Sequence, residues 1–118
     1  YRRQRQMCIR DRLSESARKA GFLIVEAHPF RYDSVIMDDR LLDGVEVYNA
    51  NKNHDSHDYL AELWAEKKHL IRTTGSDFHD PHDHTAAGIM TEEPIEDNET
   101  LLRVLRSGAY ELIRPNMD

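Results

Sequence analysis

Cysteine is almost missing from this chain of 118 residues: Cys8 stands alone, so neither an internal disulfide nor a thiolate zinc cage can form. Any metal must therefore rest on histidine and carboxylate. Long apolar runs are missing as well. None approaches the roughly 20 residues of a membrane span, and the N-terminus lacks the apolar stretch of a signal peptide, which points to a soluble, cytoplasmic protein. Positive charge is scarce in most of the chain. Lys and Arg total 16 against 22 Asp and Glu, for a net charge of -6. Five arginines fall within Tyr1 to Arg12, where Asp11 is the one acid, so the remainder holds 11 basic and 21 acidic residues and a net charge of -10. A body this acidic repels phosphates instead of releasing counterions, which argues against a nucleic-acid partner. Hydrophobic residues make up 39% and the mean hydropathy is -0.75. That composition suffices for the core of one small domain and excludes both a second domain and wholesale disorder.

The basic stretch 1–12 has neither apolar periodicity nor turn grammar. It reads as a solvated or disordered tail, as a nucleic-acid arm, or, on the string Met7-Cys8-Ile9-Arg10-Asp11, as translated library-adapter sequence foreign to the protein. The last reading is preferred. It confines the domain to residues 13–118 and makes that domain the C-terminal piece of a longer one.

From Leu13 onward strands and helices alternate. A helix end over Ser14–Ala20 is stopped by Gly21, and the apolar run Phe22–Val25 follows as a buried strand that ends before Pro29. A loop or single helical turn covers Tyr32 to Leu42. Gly44 opens a second strand, Val45–Tyr48, and Asn49–Asn53 is turn-like. The stretch Asp55–Lys68 carries Leu60, Leu63, Trp64 and Lys67 at helical spacing, a stripe to lay on the sheet. Leu70–Thr74 is a third strand, Gly75 begins a long polar loop, and Ala87–Met90 is a short extended segment. Asp97 or Asn98 caps a last helix with Leu101, Leu102 and Leu105 on one face; Gly108 stops it and Ala109–Ile113 closes as a strand. This rhythm predicts βαβ units, a mainly parallel α/β fold, and polar chemistry gathered just past the strand C-termini.

The histidines divide accordingly. His69 ends a helix where a cation suits the dipole, and His54 and His57 flank a helix start as solvated capping residues. His28 closes an apolar strand and faces the strand-end cleft, as a metal ligand or as a buried histidine satisfied by a carbonyl. Asp77 and His79, two apart in extended chain after Gly75, project to one side, where a carboxylate and an imidazole can address one ion. The loop Asp80-Pro81-His82-Asp83-His84 reads better as a solvated acidic turn than as a ligand set.

Three ordered segments carry a resemblance. Glu26-Ala27-His28-Pro29-Phe30-Arg31, then Asp43-Gly44-Val45-Glu46-Val47-Tyr48-Asn49-Ala50, then Gly75-Ser76-Asp77-Phe78-His79 with Ala87-Gly88-Ile89, together resemble the C-terminal half of a PHP domain, of the polymerase and histidinol phosphatase superfamily. The resemblance implies the C-terminal portion of a distorted (β/α)7 barrel that holds two or three divalent ions, zinc, manganese or iron, and hydrolyses phosphate esters. Carried over residue by residue, it matches His28 to the histidine ligand of the third family motif and Asp77 and His79 to the Asp-x-His pair of the last. The family's opening His-x-His, its further N-terminal histidine and aspartate and its bridging glutamate have no counterpart here. His82 and His84 do form a His-x-His, on the wrong side of the Asp-x-His pair. At roughly 30 residues per βα unit, residues 13–118 supply about half a barrel.

The implied activity is metal-assisted hydrolysis of a small phosphomonoester by an activated water. Arg31 is placed to contact the phosphate, or equally to pair with the surrounding acids, and Asn49 to line the pocket. Two other functions stay open: a 3′–5′ exonuclease-type module, disfavoured by the acidity, and a non-catalytic metal-binding or regulatory domain.

Overall fold

The computed structural model describes residues 2–83 and 86–115; His84 lies outside them. The architecture is mixed α/β. In chain order the elements are α1 (Arg2–Lys19), β1 (Val25–Glu26), a 3-10 turn (Asp39–Leu41), β2 (Gly44–Asn49), α2 (Asp58–Lys68), β3 (Ile71–Gly75), β4 (Gly88–Met90), α3 (Asn98–Ser107) and β5 (Glu111–Ile113). Strands β1, β2 and β3 form a parallel sheet in that order, whereas β4 and β5 pair antiparallel as a separate two-stranded sheet. The parallel expectation therefore holds for the first three strands and gives way at the closing one. Among the described residues the strands form no closed barrel. No helix among them is long and apolar enough to cross a membrane.

The central strand organises the core. On β2, Val45 and Val47 are 0% and 1% exposed, and they pack with Leu42, Ala61 and Ala65. Burial on both faces is what a parallel strand flanked by covering elements requires. Gly44 is forced by proximity: a Cβ there would lie 2.5 Å from the Ile71 carbonyl oxygen and 2.9 Å from its Cβ. Beyond Glu46 the register to β3 slips, so that Glu46 faces Thr73 while Tyr48 already faces Thr74. Val47 is the extra residue, and such a bulge re-aims the side chains beside it.

Helix α2 buries a different stripe from the one predicted. Leu63 is 60% exposed and Lys67 is exposed, while Ala61 and Ala65, one turn apart, are sealed against the sheet. Two small residues at i and i+4 let the helix axis approach β2 closely, which larger side chains would prevent. Trp64 stays in the interface, edge-on to Phe30 with ring centroids 5.7 Å apart. The helix starts at Asp58, later than expected.

Two further boundaries differ. The run Phe22–Val25 yields strand only from Val25, with Phe22 62% exposed. Its backbone is engaged otherwise: Ile24 N–H donates to the Asp43 carboxylate at 2.8 Å, and the Ile24 carbonyl accepts from Asp43 and Gly44. Helix α1 starts at Arg2, well before Ser14. Arg, Gln, Met, Leu and Ala all tolerate helix, so propensity alone permits the extension. In its C-terminal part, buried Ser14 donates to the Leu41 carbonyl at 3.0 Å and Arg18 to the Arg40 carbonyl at 2.7 Å. At the other end of the chain, the Asp97 carboxylate accepts from Thr100 N–H at 2.7 Å and caps α3, which ends at Gly108 as predicted.

Candidate functional site at the strand ends

The polar residues past β1, β2 and β3 form one connected network. Its hub is Glu46, 8% exposed in the middle of the sheet. Oε2 of Glu46 accepts from His28 N–H at 2.7 Å and from Asn49 Nδ2 at 3.1 Å. On its other side Oε1 faces Gly75, where any Cβ would collide with it. Burial pushes the Glu46 carboxyl above its ordinary range; the bonds from Asn49 and His28 offset this only in part.

A run of asparagines continues the network. Asn49 Oδ1 accepts from Asn51 N–H at 3.0 Å, Asn51 Oδ1 from Asn53 N–H at 3.0 Å, and Asn51 Nδ2 donates to the Asp77 carbonyl at 3.1 Å. Side chains that bond backbone two residues onward fix turns without regular structure. Asn49 N–H also reaches Asp58 Oδ2 at 3.3 Å, at the start of α2.

Asp77 adopts a left-handed conformation, φ 49°. Its Oδ2 accepts from Arg31 Nη2 at 2.9 Å, and the two side chains are only 9% (Arg31) and 13% (Asp77) exposed. Arg31 is held a second time by Ser56 Oγ, 3.1 Å from Nη2 and 3.3 Å from Nε. Burial acts to raise the Asp77 carboxyl, but the Arg31 hydrogen bond and charge outweigh it and hold the group below the usual carboxylate range. Arg31 is thus in an ion pair, and a buried one instead of the surface pair expected.

His79 Nδ1 lies 2.9 Å from the Asp77 carbonyl and 3.2 Å from its Oδ1, so the Asp-x-His side chains do lie together. The His79 ring is 74% exposed. His28 takes φ 31°, and its Nδ1 is 2.9 Å from Ser34 Oγ. His57 is not a solvated cap: it has no side-chain capping bond, and its Nδ1 meets the Phe30 carbonyl at 3.0 Å. His69 closes α2 as expected. In the following loop, Asp83 Oδ2 accepts from both His79 N–H and Asp80 N–H at 3.1 Å, which makes a self-contained turn with His82 94% exposed.

Histidine and carboxylate suit zinc, manganese and iron as donors, and Asp77 and His79 are adjacent. Among the described residues, however, no three His, Cys, Asp or Glu side chains gather into a metal cage. The set is partial. Glu46, Asn51, Ser34 and Ser56 went unpredicted. Of these only Glu46 left a trace in the sequence, as an acid between two valines of a buried strand.

No model of a known protein family matches the chain, and neither a curated protein nor a solved structure gives a significant match.

Proposed function

We propose that the chain carries part of the site of a metal-dependent phosphoesterase of the PHP superfamily, the C-terminal portion of its barrel, acting on a small phosphomonoester. The observation that carries this reading is the meeting of Asp77, His79 and the His28 backbone in one network past the C-terminal ends of three parallel strands. That is where α/β folds place their chemistry. His28, Asp77 and His79 would hold the ions, with further ligands from outside these residues. When bound, such ions supply a hydroxide near neutral pH and neutralise phosphoryl oxygens.

The chain's own residues do the positioning. Glu46 fixes the backbone at His28, Asn51 fixes it at Asp77, and Arg31 keeps the Asp77 carboxylate ionised. Ion charge, rather than protein charge, draws an anionic substrate to so acidic a body.

The test is release of phosphate from an aryl phosphate with manganese, by protein expressed from its full reading frame. Turnover lost in His28→Ala supports the reading; no release above that variant, from protein that binds manganese, overturns it. The second reading, a metal-binding or regulatory domain without turnover, is favoured by one observation: Arg31 already neutralises Asp77. It predicts manganese uptake with no hydrolysis.

A further inference from the structure

We propose that Asp77 and Arg31 form a latch, in which Arg31 is a phosphoryl-oxyanion site masked by Asp77 and opened when a cation takes Asp77. Resting on the phosphoesterase reading of the same site, the latch adds a coupling between its two charges.

Three observations lead there. First, Arg31 is under-used. A guanidinium fork is built to grip two oxygens at once, yet Asp77 offers it Oδ2 alone, through Nη2. A phosphoryl group presents the pair of acceptors that Asp77 does not. Second, Arg31 has an anchor independent of Asp77. Ser56, 5% exposed, accepts from both Nε and Nη2, so the guanidinium keeps its place when the carboxylate turns away. Third, Asp77 is divided between unlike partners: Oδ2 faces the guanidinium, Oδ1 faces His79 Nδ1 at 3.2 Å, and the Asn49 side chain also hydrogen-bonds the carboxylate. Its backbone carbonyl is tied to Asn51 Nδ2 and His79 Nδ1, so the carboxylate can rotate without moving the loop.

A divalent ion taken by Asp77 and His79 removes the hydrogen-bonded counter-charge of Arg31 and leaves the more distant Asp58 carboxylate acting on it. A guanidinium that is only 9% exposed is costly to leave unpaired, so it takes up an oxyanion instead. Cation and anion then favour one another reciprocally, as any coupling between two sites must be.

The experiment measures binding of inorganic phosphate and of manganese, separately and together, by calorimetry on the whole chain. The variants are Asp77→Asn, Asp77→Ala, Arg31→Gln and the double Asp77→Asn/Arg31→Gln, each checked for folding by circular dichroism. The double variant removes both charges together and leaves no buried ion unpaired. Without metal, each Asp77 variant is expected to bind phosphate about tenfold more tightly than the parent, on the scale of one charge-assisted hydrogen bond. The double variant loses that gain. In the parent, saturating manganese produces a comparable gain, and Arg31→Gln binds manganese more tightly. Phosphate binding that is unchanged in both Asp77 variants, or a gain that survives in the double variant, overturns the latch. Manganese bound by the parent in that case leaves the phosphoesterase reading standing. Conversely, a parent that takes no manganese while Asp77→Asn gains phosphate supports the anion site but overturns its opening by a cation, and leaves the phosphoesterase reading to the protein of full reading frame.

Discussion

Two carboxylates sit within one strand-end network and are handled in opposite ways. Glu46 is enclosed by neutral donors, an amide N–H and an asparagine side chain, and burial drives it toward its protonated form. Asp77, at the loop edge, faces a guanidinium that overrides burial and keeps it charged. The first arrangement organises backbone; the second keeps a charge in readiness. The contrast separates what holds this site together from what the site can do.

Replacing Glu46 breaks the comparison most severely. Glu46→Ala should cost about 4 kcal/mol in urea unfolding, because it strands the His28 N–H and the Asn49 amide and opens a cavity. Glu46→Gln keeps an acceptor in place and should fold, which tells a structural carboxyl from a required charge. Arg31→Gln comes next. It leaves Asp77 charged without its partner, at a cost of about 2 kcal/mol, less than for a deep pair because the loop edge admits water.

The pH dependence sharpens the contrast. With its pKa raised above the ordinary 4.5, ionised Glu46 destabilises the fold near neutrality, so stability contributed through this group rises as pH falls through that raised value. Asp77 behaves inversely. Its lowered pKa gives stability that is present above its ordinary 3.8 and is lost as pH falls through the folded value. Thermal unfolding across pH 3 to 7 should lose the upper limb in Glu46→Gln and the lower limb in Asp77→Asn. A profile unaltered by either change contradicts both assignments. The smallest expected effect is that of Thr74→Val, about 1 kcal/mol, from the loss of hydroxyl bonds to Gly88 and Ile113.

Local signals in the sequence located the alternation of strands and helices, a cap at Asp97 or Asn98 and the Gly108 stop, because each depends on a few neighbouring residues. The candidate residues His28, Asn49, Asp77 and His79 could be named from their places after strands, and Arg31 from the activity that the resemblance implies. Their partners could not. Arg31 and Asp77 are 46 residues apart, and nothing local reports their pairing. Val45-Glu46-Val47 reads as a strand, but nothing local reports that the fold covers both of its faces. In α2 the leucines drew attention as the larger apolar groups, but close approach to β2 selected the alanines. The antiparallel pairing of β5 with β4 likewise depends on the return path of α3, not on the strand's own residues.

One threonine hydroxyl has a consequence for how this site can vary. Thr74 Oγ1 accepts from Gly88 N–H at 2.7 Å and lies 2.7 Å from the Gly88 carbonyl, so it ties the end of β3 to the start of β4. The whole excursion from Gly75 to Ala87 is therefore pinned at its neck. Extra residues in a loop closed in this way cost little, since closure entropy grows only with the logarithm of length. Insertions or deletions in this loop are thus tolerated while Asp77, next to the neck and tied to Asn51, keeps its place. The length of the loop can diverge without disturbing the Arg31–Asp77 pair at its base.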